Sequence, residues 1–391
     1  ERLGGLGYLE LELAFLANRL SLCTARQKAS GVDLRELRYI LCFVFPAAAV
    51  AVVHTVKKAI LTGTVNSATY LAAAAPFLAF FLVIPVVELL LPFRDKTLNP
   101  ARLPELDSPG TTPIFLALQQ AYLLTHMAVC LYTYFTIASL PSGGCLLGLA
   151  LVLGASSLGV SASVGLGAMH DLQHSKIPFD RWLARVWLGM EFMLPYARFH
   201  SVDHHRNSMS RSDITTAEKG LGFPSYYGRY MANAYLKPRA PKLALGEILL
   251  PLLATALLYA LLGPAAAAAH VSQALLCAYS ITAFDYAVHY GLVREHVLDS
   301  PLGKVDCVPI ELRCTWVDNF LLSKLLLWNS SNHGHHHYNP RMPGCMLQNV
   351  WGGPAFPIPV PLLGLFVGIP PLFKRIVHRN LNTHVGWPVN S

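Results

Sequence analysis

The chain has 391 residues, of which 53% are hydrophobic and only 13% charged, against about a quarter charged in an ordinary soluble domain. Its mean hydropathy of +0.42, with the apolar residues gathered in long runs, excludes a string of soluble domains and reads as an integral membrane protein. The formal net charge of +8 comes from loops without the aromatic interleaving of a nucleic-acid surface, so no nucleic-acid partner is expected.

The sequence opens without a basic-then-apolar leader, so any targeting peptide is expected to be already removed or to lie outside it. From Tyr8 to Arg26, Leu and Phe alternate with Glu and Arg, which predicts an interfacial amphipathic helix rather than a span. Crossing a bilayer takes about 20 apolar residues, and six stretches meet that length: Tyr39 to Val56, Ser67 to Phe93, Pro113 to Leu140, Cys145 to Met169, Leu245 to Leu262 and Val271 to Leu292. A further apolar stretch, Phe356 to Phe373, carries Pro357, Pro359, Pro361, Pro370 and Pro371. So many missing amide donors argue for a re-entrant or surface segment. The expected organisation is an interfacial segment over 1–38, a six-helix membrane domain over 39–375 and a tail over 376–391.

Six spans put both termini on one side, together with the segments 94–110, 170–244 and everything after 293. Of the thirty Lys and Arg, all but Lys57 and Lys58 then fall on that side, which makes it cytoplasmic, or the matrix side in a mitochondrion. The eight cysteines include no C-x-x-C pair, so neither a zinc ribbon nor a disulfide framework is indicated.

The sixteen histidines are the anomaly, because they cluster at span ends on the basic face. His170 and His174 (HDLQH) follow the fourth span and share one helix face. His200, His204 and His205 form HSVDHH; His333, His336 and His337 lie in HGHHHYNP with His335 interleaved; His289 stands near the end of the sixth span. One H-x-x-x-H pair is ordinarily a hydrogen-bonded surface pair. Nine imidazoles at ligand spacing exceed the roughly six donors one ion accepts, so two metals are expected. Imidazole suits iron, zinc, copper or nickel, and a hydrolytic zinc site needing three protein ligands would leave most of these rings idle. Two redox-active irons fit better. Carboxylates should then support the ligand rings or offset charge. Asp171, Asp203, Asp213, Glu218 and Asp285 are candidates, and Asp285 stands out as an ionisable residue inside an apolar span, four residues before His289.

At these residues the chain resembles the integral-membrane alkane monooxygenases, within the membrane fatty-acid desaturase and hydroxylase superfamily. The matching motifs are HDLQH at 170–174, HSVDHH at 200–205, DYAVHYGLVRE at 285–295 and NHGHHHYNP at 332–340. Further likeness runs through ELLLPFRDKTLNP at 88–100, NFLL at 319–322 and the segment 354–372, so that residues 70 to 375 are covered. The resemblance implies an all-α membrane protein with a diiron centre on the cytoplasmic or matrix face, ligated by His170, His174, His200, His204, His205, His289, His333, His336 and His337. His335 stands where the family usually has Asp and is read as a non-ligand. Phe199 and Val288 replace acidic residues, Asp171 replaces Glu, and Ser175 replaces Lys.

What the resemblance implies for function is a monooxygenase of lipid metabolism that hydroxylates an alkane or fatty-acyl chain with O2. Asp285 and Asp171 would support the centre, and the chain would enter from the bilayer. Small residues in GASSLGVSASVGLG (154–167) either leave a slot for it or permit close helix packing. Electrons would come from an external rubredoxin-, ferredoxin- or cytochrome-type carrier, with Arg206, Arg211 and Arg229 as docking cations. The expected location is a bacterial inner membrane or an organellar one such as the mitochondrial inner membrane. The rival reading is a non-catalytic, alkane-hydroxylase-like subunit of a larger membrane complex.

Overall fold

The computed structural model describes residues 34–91, 94–95, 112–210, 212–236, 241–292, 296–297, 306–307, 315–349 and 352–383. The helix expected at Tyr8 to Arg26 lies outside the described residues. In chain order the helices are α1 (Glu36–Leu61), α2 (Ser67–Leu90), α3 (Pro113–Ala138) and α4 (Leu146–His174), then α5 (Pro178–Met190), α6 (Leu194–Phe199) and α7 (Phe223–Met231). They continue with α8 (Pro241–Leu262), α9 (Pro264–His289), α10 (Leu321–Leu326), α11 (His333–Tyr338), α12 (Val360–Val367) and α13 (Pro370–Thr383). Beside the helices, the described residues hold a two-residue antiparallel ladder between His296–Val297 and Asp306–Cys307, isolated bridges pairing Arg94 with Phe320 and Val317 with Ala355, and connecting loops. The six helices long and apolar enough to cross a membrane are α1, α2, α3, α4, the Leu245–Leu262 part of α8, and α9.

Burial ranks the spans. In α4 72% of the apolar window is covered by the rest of the chain, and in α8 only 6%. The bundle is therefore built around α4, and α8 turns nearly all its leucines outward. Close approach explains the central place of α4. A Cβ on Gly154 would lie 2.1 Å from the Ala269 carbonyl oxygen of α9, and one on Gly167 would lie 2.1 Å from the Leu327 carbonyl oxygen. These glycines thus serve packing, while Ser163 and Leu166 of the same helix line a cavity.

Three boundaries differ from the sequence reading. α9 begins at Pro264 rather than Val271, because proline suits the first helical position and the alanine run after it propagates readily; Gly263, at φ 86, makes the turn. The segment 170–244, which the sequence reading places whole on the basic side, holds α5, and α5 bears a buried stripe of Leu183, Ala184, Trp187 and Leu188 and runs back into the bundle. The proline-rich apolar stretch near the end forms α12 and α13, broken at Gly368 and Ile369, with Leu363, Val367 and Phe373 buried. α13 runs to Thr383, past the expected start of the tail at 376.

Candidate metal centre

Each histidine cluster owes its geometry to a local feature of the backbone. The last turn of α4 presents His170 and His174 four residues apart on one face. His200–His204 is a π-helical turn, closed by the His205 amide on the His200 carbonyl. That wider turn puts residues five apart, His200 and His205, on one side and leaves His204 on another. α9 ends on His289. α11 sets His333 and His337 one turn apart, with His336 turned away from them.

The structure brings all nine together as two adjacent sets. His170, His174, His200, His205 and His336 form one, and His204, His289, His333 and His337 the other; within each, the possible donor atoms all lie within 4.8 Å of one another. The doublets His204–His205 and His336–His337 each give one ring to each set, which is why adjacent histidines occur twice. In the larger set, Nε2 to Nε2 distances are 3.2 Å for His174–His200, His174–His205 and His205–His336, and 3.3 Å for His200–His205. The smaller set gives 3.2 Å for His204–His337, 3.1 Å for His333–His337 and 3.3 Å for His289–His333.

Those spacings fit a bound cation. Two imidazole donors about 2.1 Å from one ion, at angles between octahedral and tetrahedral, stand about 3.0–3.4 Å apart. Burial holds His200, His205, His336 and His337 well below the ordinary histidine range and His333 down to about 3, neighbouring imidazoles adding to the effect. Every neutral ring has one nitrogen with a free lone pair. At His204, Nδ1 lies 3.1 Å from Asp213 Oδ2 and donates to it, which leaves Nε2 as the nitrogen that faces the set.

Among the described residues, Asp213 is the carboxylate that hydrogen-bonds a ring of the two sets. It also accepts from the Thr215 and Thr216 hydroxyls, both at 2.8 Å. Burial opposes its ionisation, but His204 and these hydrogen bonds outweigh that and hold its pKa below the usual aspartate value. The other candidate acids are placed differently. Asp171 Oδ2 accepts from Gln119 Nε2 at 2.8 Å and from the Gly344 amide at 2.9 Å, tying α4 to α3 and to the segment after α11. Asp285 is buried but makes no hydrogen bond to His289, whose Nδ1 has no partner among the described residues; it lines a cavity beside His170 instead. Asp203 is half-buried and Glu218 exposed. Phe199 and Val288 belong to the apolar core. His335 falls outside both sets, and its Nδ1 accepts the Gln348 amide at 3.0 Å.

Two spaces flank the sets. On the bundle side a mostly apolar pocket reaches His170, with Phe80, Met169, Phe284 and Pro361 in its wall. On the other side a polar cleft exposes His174 and His205 among Lys176, Arg181, Asn339 and Arg341. Of the expected docking cations, Arg229 donates instead to the Thr216 carbonyl, Arg206 is exposed, and Arg211 lies outside the described residues.

One feature escaped the sequence reading. Deep between the spans, Glu191 pairs with His126, Nε2 to Oε1 at 3.1 Å, both side chains fully buried. The signal available was a lone histidine inside the third span, with its carboxylate 65 residues away.

The match to the fatty acid desaturase family model covers residues 145–356, which includes all nine imidazoles. The chain is 27% identical over 256 residues to an alkane 1-monooxygenase of Ectopseudomonas oleovorans, covering 61% of this chain and 62% of that protein. It is 28% identical to the Pseudomonas putida alkane 1-monooxygenase over 60% of each chain, and 26% identical to alkane 1-monooxygenase 1 of Alcanivorax borkumensis over 57% of this chain and 58% of the other. The matched region thus spans about three-fifths of the length of these relatives. A family match over more than half the chain, coinciding with two converging histidine sets in a six-span bundle, places this chain in the fatty acid desaturase family.

Proposed function

We propose that the chain is a membrane non-haem diiron oxygenase that hydroxylates an alkyl chain, an alkane or a fatty-acyl lipid, consuming O2, two electrons and two protons and releasing water. The observation that supports this most directly is the position of the two histidine sets between an apolar cavity and a polar, basic cleft. Iron, when bound, supplies the redox chemistry that dioxygen activation requires. The residues of the chain supply the rest.

The five-imidazole set and the four-imidazole set would each hold one iron. Asp213 fixes the tautomer of His204. The wall of Phe80, Met169, Phe284 and Pro361 desolvates an alkyl chain entering from the bilayer and keeps bulk water from the reacting carbon. Asp285 stands in that wall beside His170, where we assign it a supporting role at the centre. Asp171 supports from farther out by pinning Gly344.

Electrons would enter through the cleft, where His174 and His205 are the half-buried members of the centre. Lys176 and Arg341 are exposed beside them and suit an acidic one-electron carrier. The positive-inside rule makes this face cytoplasmic or matrix. The test is to purify the protein, load iron, and supply O2 and a chemical or ferredoxin-type reductant with a deuterated alkane or fatty acid. A hydroxylated product carrying oxygen from 18O2 is expected; iron-loaded, reducible protein that oxygenates neither substrate would instead favour a non-catalytic role.

A further inference from the structure

The segment between His174 and His200 is a re-entrant hairpin. α5 leaves the end of α4 and runs back beside it, so that Trp187 Cζ2 comes within 3.4 Å of where a Cβ on Gly165 would sit. The hairpin turns at Met190, Glu191 and Phe192, with Phe192 at φ 56. α6 then returns until His200 Nε2 is 3.2 Å from His174 Nε2. At the turn, Glu191 and Ser161 of α4 meet the same imidazole, His126. Ser161 precedes His170 by nine helical residues, so the tip lies roughly 14 Å deeper than the metal centre at 1.5 Å per residue.

Polar anchors from three parts of the fold hold that tip. Glu191 Oε1 accepts from Gln273 Nε2 of α9 at 2.6 Å and faces His126 Nε2 of α3 at 3.1 Å. His126 Nδ1 lies 3.0 Å from the Ser161 hydroxyl. Gln273 is itself oriented, since its Oε1 accepts from the Tyr134 hydroxyl at 2.6 Å and from Cys130 Sγ at 3.3 Å. Beside Glu191, His270 Nε2 donates to the Met190 carbonyl at 3.0 Å and the Tyr235 hydroxyl donates to that of Phe192. His126, Glu191 and Gln273 are all fully buried. A carboxylate at this depth is costly unless its partners are in place, and those partners are directional where apolar side chains slide.

We propose that the His126–Glu191–Gln273 node is a positioning device for the metal centre. It fixes the depth of the hairpin tip and, through the short helix α6, the height of His200, His204 and His205 against His170 and His174. The inference rests on reading the nine imidazoles as a metal centre. It assigns Glu191 a function that no metal-binding motif contains: three of the nine ligands ride on the arm it anchors, two in the five-imidazole set and one in the four-imidazole set.

The test compares Glu191→Ala, Glu191→Gln and the milder Gln273→Met with wild type, using only monodisperse, folded protein. Glu191→Ala is expected to weaken iron binding by about 10–100-fold, the usual effect of removing a group that orients ligands. Its Mössbauer spectrum should change more at the five-imidazole iron than at the other. Glu191→Gln, which keeps an acceptor for Gln273, should restore most of the affinity. Should Glu191→Ala fail to fold, Gln273→Met is expected to show the same changes at smaller size. In metal-free protein, amide exchange across 186–199 should quicken in Glu191→Ala. Unchanged iron affinity in a folded variant would overturn the proposal, and so would faster exchange with no effect on iron. Wild-type protein that takes up no iron would sink the metal reading, while exchange in the metal-free state still decides whether Glu191 holds the hairpin.

Discussion

His126 in the middle of the bundle and seven of the nine imidazoles at its basic end are all buried, yet their surroundings differ in chemical kind. Around His126 each ring nitrogen faces a group of complementary character, the Ser161 hydroxyl on one side and the Glu191 carboxylate on the other. In the two histidine sets, nitrogen faces nitrogen at 3.1–3.3 Å. Neutral rings have too few protons to turn all of those contacts into hydrogen bonds. The lesson is that burial does not distinguish a ligand from a structural histidine. What distinguishes them is whether the partners present complete the ring's hydrogen bonding or leave like atoms converging on one point.

That contrast can be broken most forcefully at His336, whose Nε2 lies 3.2 Å from that of His205. His336→Ala should lower metal affinity by more than the roughly 100-fold that marks the upper range for supporting residues, as read by metal analysis after dialysis against a chelator. Acid should act on the whole set at once. Unfolded imidazoles take up protons near pH 6.5, whereas burial keeps His200, His205, His336 and His337 well below that range and His333 near 3. Below about pH 6.5 the unfolded state therefore binds more protons, and the stability of metal-free protein should fall steadily from pH 7 to pH 4. Thermal midpoints across that window check the sign; a rise in acid would contradict it.

Smaller effects sharpen the comparison. Asp213→Ala frees His204 Nδ1 from its acceptor and should cost about 10–100-fold in metal affinity, seen as early loss of one of two metals in a competition titration. Gly167→Ala would force a Cβ into the Leu327 carbonyl, 2.1 Å away. It should cost about 1–3 kcal/mol in thermal or denaturant stability, while Gly246→Ala, with open space around it, should not. His335→Asn is expected to leave metal content nearly intact, because that ring serves the Gln348 amide.

The nine clustered histidines, the six candidate spans and the family were legible because each rests on local spacing: four residues along a helix, a doublet, or a run of about twenty apolar residues. His126 and Glu191 were not, since only the hairpin of α5 and α6 brings them together, and no motif or apolar run of spanning length marks α5 in the sequence. Asp285 shows the same limit from the other direction. Its place one turn before His289 suggested a hydrogen bond to that ring, but its side chain lines the cavity wall by His170. Asp213, reaching His204 from a segment without regular structure, does what Asp285 was expected to do. Sequence spacing predicts contacts within an element well, and contacts between elements only where a motif marks both ends.

Iron stoichiometry combined with Mössbauer spectroscopy on purified, 57Fe-loaded protein tests the central claim most directly. Two irons per chain in two unequal nitrogen-rich environments, matching one set of five imidazoles and one of four, is the predicted result. A single metal per chain that survives His336→Ala, or preferential loading with one zinc, would contradict it.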